Sequence, residues 1–354
     1  MVERRVARLL TSFGSTAFLV FVVVAAEMLA RRFLPDYLVK TRGFHVFSEA
    51  LGWAPRKGAS VVNDGRRVSL NERGYRGREL GVPRTRDRTR VIVLGDSIAF
   101  GLGVSDEETF AHLLDASDNG IEAGSLAVQG YGPDQELLLL LREGLRYDPD
   151  VVVLAFCLAN DFAEAVLPVS LYDGAMPKPR FRLVGDRLVL DHSDLQRSVF
   201  RRVHQWLSDY SLLFNLVSGP GRRGAPPLAR HWRERHADAL RDEDYALSLS
   251  LALVGRMNSS CRERGITFLV AAFPDRFSYR NKPRLAQRFL ESLEADGIMA
   301  IDMSIPFHAV GSRLTAVALD RTGHLNPIGH SVASLVLERE IAARHPRGIS
   351  RPPG

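Results

Sequence analysis

The chain has 354 residues, 45% hydrophobic and 25% charged, with a net charge of +6. These are the proportions of a globular protein, with enough length to bury one large core or two small ones. The positive balance comes mostly from scattered arginines, with no basic stripe and no nucleic-acid motif, which argues against a nucleic-acid partner.

Residues 1–8 form a short tail containing Arg4, Arg5 and Arg8. The stretch from Leu9 to Ala26 then carries no charged residue. It has about the minimum length for a membrane-spanning helix, so 9–30 is predicted to be an anchor. A cleavable signal peptide is the rival reading, because Val24-Ala25-Ala26 offers small residues for cleavage. The run exceeds a usual signal core, which favours the anchor. Arginines flank both ends, so charge does not fix orientation. A short tail before a large soluble part fits tail-inside, domain-outside, which makes the soluble part extracytoplasmic.

Residues 31–88 mix turns with brief β-like runs and are predicted to be a connector with short strands. From 89 to 345 an α/β pattern takes over. Strands are predicted at 90–95, 121–127, 150–157, 266–273 and 298–302. Helices are predicted at 106–116, 133–146, 244–264, 283–296 and 327–344. Pro133 and Pro327 suit the first turn of their helices, with Asn326 as a cap. Uninterrupted apolar strands between amphipathic helices predict a parallel sheet covered on both faces.

An insertion at 164–243 breaks the pattern. Arg180 to Leu190 reads as a hairpin turning at Gly185-Asp186, helical pieces follow near 195–217, and Gly219 to Pro227 reads as a loop. Following the end of a strand, the insertion is a candidate lid or substrate selector. The tail at 346–354 is predicted to be disordered. Cys157 and Cys261 read as two buried thiols.

The candidate chemistry sits at strand ends. The apolar run Val91 to Leu94 leads into Gly95-Asp96-Ser97, which places a serine where α/β folds hold their sites. A serine hydroxyl needs a base, a group that orients the base, and donors for an oxyanion. His324, just ahead of the last helix, is the candidate base. Asp320 on the same loop is the candidate orienting acid, with Asp302 at the end of the fifth strand as the second. Gly130 after the second strand and Asn160 after the third are candidate oxyanion contributors. His330 lies inside the last helix and reads as a packing residue. Glycine spacing excludes the dinucleotide and P-loop fingerprints, and no Cys/His cluster points to zinc, so neither cofactor nor metal is expected.

In that order, these residues resemble the four sequence blocks of the SGNH/GDSL hydrolase family, from about 90 to 332. The resemblance implies a flavodoxin-like three-layer α/β/α fold with a parallel sheet. It implies Ser97 as nucleophile, His324 as base, and Ser97, Gly130 and Asn160 as the oxyanion hole. Leu70 to Arg76 and the leading apolar helix are similar to a bacterial membrane-anchored subgroup. Two departures stand out. The family's last block, Asp-x-x-His, would put the acid at 321, which is Arg321, so a Ser–His dyad is open beside Asp320. Leu158 replaces the glycine of the third block. The resemblance implies cleavage of carboxylic esters through an acyl-enzyme: an esterase, a lipase or a carbohydrate O-deacetylase. O-acyl transfer to a cell-surface glycan, or non-catalytic glycan or lipid binding, are the alternatives. The expected partners are an acyl ester or acylated glycan, and the membrane through the N-terminal helix.

Overall fold

The computed structural model describes residues 2–34, 45–63, 66–84, 88–117, 120–171, 176–192, 203, 206–207, 210–218, 237–274, 283–311, 317 and 323–345. The expected loop at 219–227 and the tail at 346–354 lie outside them. The chain divides into two compact units, one of residues 1–44 with 198–224, the other of 45–197 with 225–354.

The larger unit is built on five parallel strands: β1 (Thr89–Gly95), β2 (Ile121–Ser125), β3 (Val151–Cys157), β4 (Thr267–Phe273) and β5 (Met299–Asp302). Their spatial order is β2-β1-β3-β4-β5. That is the flavodoxin-like doubly wound order, with its reversal between β1 and β3. The interior strands are apolar without alternation because both of their faces are covered: every residue of β3 is buried. Five helices make the covering layers: α1 (Phe110–Ala116), α2 (Pro133–Arg142), α3 (Glu243–Arg262), α4 (Pro283–Ala295) and α5 (Pro327–Arg344). Helix α5 packs with α1, whereas α3 packs with α2 and α4. The caps are those expected. Pro133 and Pro327 open their helices, and the Asn326 side chain accepts from the Gly329 N–H at 2.9 Å.

The predicted hairpin is present as Arg180–Val184 paired with Arg187–Asp191. The two cysteines are buried and not disulfide-bonded. His330 is a packing residue: its ring stacks on Phe110 and its Nδ1 accepts from the Phe110 N–H at 3.2 Å.

The region expected to be a connector does more than connect. Two antiparallel hairpins, His45–Ser48 with Gly52–Pro55 and Ser60–Asn63 with Arg66–Ser69, occupy its middle. Leu51, Trp53, Tyr75 and Leu80 belong to the same core cluster as the sheet. The Trp53 indole N–H donates to the Gln129 carbonyl at 3.1 Å, and the Tyr131 hydroxyl donates to the Trp53 carbonyl at 2.6 Å. The first hairpin is thereby tied to both sides of Gly130.

In the smaller unit a single helix runs Val2–Phe33. Its part Gly14–Phe33 has a mean hydropathy of 1.6 and buries none of its length. It is long and apolar enough to cross a membrane. A short helix, Leu212–Ser218, packs with it.

Candidate active site

Strand β1 delivers Ser97. Gly95 ends the strand at φ +154, where a side chain would meet Ala155 of β3 at 3.0 Å, so only glycine lets the chain turn this close to its neighbour. Asp96 follows and caps the one-turn helix Ser97–Phe100, its Oδ1 accepting from the Ile98 N–H at 2.8 Å. Gly101 closes that helix in the left-handed conformation, with φ +78. Buried Arg76 then braces the next loop. It donates to the carbonyls of Phe100, Gly101 and Val104 and pairs with Asp106. Ser97 itself is half-buried at the carboxyl end of β1, beside the β1/β3 reversal.

His324 arrives from the other end of the chain. Gly323, at φ +78, turns the backbone ahead of it. Beyond it, Asn326 bonds Val317 and caps α5. The His324 Nε2 lies 2.9 Å from the Ser97 Oγ. With the imidazole neutral and its proton on Nδ1, Nε2 accepts the hydroxyl proton, the arrangement that activates an alcohol for attack.

The other expected residues fall as follows. Asn160 starts the helix Asp161–Val166 and is almost wholly buried. Its Nδ2 donates to the Asp96 Oδ2 at 3.0 Å, so the carboxyl group that caps the Ser97–Phe100 helix also holds the carboxamide. That amide has a second N–H, which the Asp96 bond leaves over. Gly130 is half-buried at φ +73. A Cβ there would find only ordinary contacts, with Trp53 at 3.6 Å, so the backbone conformation and not space calls for glycine. Asp302 accepts from the Ser304 N–H at 2.9 Å, at the first residue of the short helix Ser304–Val310 that follows β5. Asp320 and Arg321 lie outside the described residues. Among the described residues, no group of His, Cys, Asp and Glu is placed to hold a metal.

Behind Asp96 lies a feature that the sequence reading missed. Asp96, Asp134, Glu136, Asp161 and Glu164 are all buried, with one buried cation, Lys178, paired to Asp134. Asp161 accepts from the Cys157 N–H at 2.7 Å and Glu164 from the Leu171 N–H at 2.8 Å. Neither oxygen of Glu136 accepts a hydrogen bond among the described residues. Burial raises the pKa of every member, and mutual repulsion adds to it for Glu136 and Asp161, which rise well above the usual range. Glu164 is pushed up to about 8 by burial.

Glu164 stays protonated in the folded state up to about pH 8, while the unfolded chain loses that proton near pH 4.5. Raising the pH through that window therefore favours unfolding. Buried His330, lowered to about 3, opposes folding only below about pH 6.5. The urea midpoint is thus expected to fall steadily from pH 6.5 to beyond pH 8, and Glu164→Gln is expected to flatten the fall. A midpoint that holds or rises over that range in the unsubstituted protein contradicts protonated burial.

No family model matches the chain, and no curated protein matches its sequence. Solved structures similar to it include a GDSL-like lipase from Bacteroides thetaiotaomicron, at 12% identity over 72% of this chain and 89% of that one, with a TM-score of 0.39. A lipolytic protein of the G-D-S-L family from Veillonella parvula has 12% identity over 72% and 98%, with a TM-score of 0.42. The psychrotrophic esterase EstA from Pseudoalteromonas sp. has 12% identity over 73% and 98%, with a TM-score of 0.39. The sheet order establishes a doubly wound α/β fold.

Proposed function

We propose that the chain is a serine ester hydrolase of the SGNH/GDSL kind that works through an acyl-enzyme. The observation that supports this most directly is the 2.9 Å contact between Ser97 and His324, residues 227 apart in sequence. In the proposed reaction His324 takes the Ser97 proton as Oγ attacks the ester carbonyl. The resulting oxyanion meets the Ser97 and Gly130 N–H groups and the Asn160 carboxamide. His324 then returns the proton to the leaving alcohol, and water, activated by the same imidazole, releases the acid. No metal is needed for these steps.

A fluorophosphonate probe tests the nucleophile on the full-length protein in detergent. Labelling that vanishes in Ser97→Ala is expected. Equal labelling of that variant, or none of the folded parent, leaves a non-catalytic binding domain as the better reading. Substrate class follows from a panel running from p-nitrophenyl acetate to long-chain esters and acetylated glycans, with acyl transfer scored against hydrolysis.

The proposed orienting acid is Asp320. Asp320→Asn is expected to lower kcat/KM by about 10- to 10⁴-fold, the span between a helper and a full triad member. Asp302 already serves the helix after β5, so Asp302→Asn is expected to leave the rate near that of the parent. Loss confined to the Asp302 variant reverses the assignment, and loss in neither describes a Ser–His dyad. The Gly14–Phe33 helix is proposed to anchor the hydrolase with its domain outside the cytoplasm. A carboxyl-terminal reporter active only in the cytoplasm reverses that topology.

A further inference from the structure

The smaller unit carries an inference of its own, which rests on the reading that Gly14–Phe33 crosses the membrane. Within the continuous helix Val2–Phe33, the charge-free run Leu9 to Ala26 rises about 27 Å, close to the thickness of the hydrocarbon layer. Glu27 follows that run immediately, at the outer edge of the apolar layer. A carboxylate at that depth is costly unless it is satisfied. It is satisfied by a segment from far along the chain. Glu27 accepts from the N–H groups of Leu212 at 2.8 Å and Leu213 at 3.0 Å, and from the Ser211 hydroxyl at 3.0 Å. Arg31, one turn on, pairs with Glu27 at 2.8 Å and also donates to the Tyr210 carbonyl. These bonds fix residues 210–213 at the level of Glu27.

The neighbouring side chains suit that level. Trp206 is 59% exposed, Tyr210 51% and Leu216 38%, and the Trp206 and Tyr210 rings lie 5.9 Å apart. In water this is an unfavourable exposure of apolar surface close to an already apolar helix. At a bilayer boundary it is favourable, because indole and phenol rings place an apolar body in the acyl region and a polar edge among the headgroups. Arg32, near the end of the long helix, supplies a cation on the side where phosphates lie.

We propose that the part of the insertion carrying Trp206, Tyr210 and Leu216 is a second membrane contact, seated in the interface and pinned to the spanning helix by Glu27. The occupant of this surface is the lipid bilayer, argued from its continuity with the exposed apolar span. At least this portion of the insertion then serves attachment.

Depth-resolved fluorescence quenching tests this on the full-length protein in phosphatidylcholine–phosphatidylglycerol vesicles. Single cysteines replace Val20, Trp206 or Leu216 and carry an environment-sensitive fluorophore; the two native cysteines are buried. The Val20 label is expected to be quenched by deeply placed lipid quenchers. The Trp206 and Leu216 labels are expected to be quenched by shallow ones and shielded from aqueous iodide. Glu27→Ala is expected to lower lipid quenching at 216 several-fold while leaving Val20 unchanged. Labels at 206 and 216 that iodide reaches, with Val20 still deep, overturn the proposal alone. Labels shielded from both lipid and iodide indicate a protein cover and also overturn it. An iodide-accessible Val20 removes the span, and the proposal with it.

Discussion

Ser97→Ala is expected to lower ester hydrolysis by about 10⁵-fold or more, a loss of about 7 kcal/mol of transition-state stabilisation. The hydroxyl lies 2.9 Å from the His324 ring, so on the proposed mechanism its removal leaves only what binding and the oxyanion donors do for a water molecule. His324→Ala is expected to cost about as much, because an alcohol without a base is nearly inert at neutral pH. The double variant is expected to be no worse than either single one, since the two groups act as a unit. Steady-state rates on a p-nitrophenyl ester check this. Losses that add in the double variant contradict a shared proton transfer. Stability is a useful control. The Ser97 backbone carbonyl, which accepts from Gly101, is untouched by the change, so the urea midpoint is expected to hold.

The second large effect is on folding. Lys178→Met is expected to destabilise the protein by about 3–5 kcal/mol at pH 7, because it removes the one buried cation among five buried carboxyls. Asp134 loses its partner and must take up a proton to remain inside. Its folded-state pKa therefore rises further, and the deficit grows as pH rises and shrinks toward pH 5. Urea unfolding at both pH values measures this. The double change Lys178→Met with Asp134→Leu is expected to recover most of the loss, since apolar replacement of a buried pair is commonly tolerated. A pH-independent deficit of similar size assigns the effect to packing alone.

Much of the fold was legible because its physical causes are local. Runs such as Val151 to Cys157 are too apolar to face water on either side, so they read as interior strands. Pro327 after Asn326 marks a helix start in any context. Ser97 and His324 were legible as candidates because they fall where elements end, and the structure brings them together. Two features were not legible, for the same physical reason. Asp134 and Glu136 read as ordinary first-turn acids that complement a helix dipole. Only the tertiary fold shows that this turn is buried against Lys178 and Glu164. Trp53 lies in a stretch of short strands and turns with no period of its own, and its tie to the Gly130 loop spans 76 residues. Asn160 was legible as a carboxamide at a strand end, but not its hold on Asp96, because a hydrogen bond across two strands leaves no trace in spacing.

The separation of Ser97 from His324 also has a consequence in time. A ribosome adds about 5–20 residues per second, so Ser97 is made roughly 10–45 s before His324, its proposed base. Throughout that interval the emerging polypeptide holds a serine with nothing to deprotonate it. On the proposed mechanism the segment that carries His324, just ahead of the last helix, is thus the arming step of synthesis, and a chain released before it lacks the base that esterase activity would need.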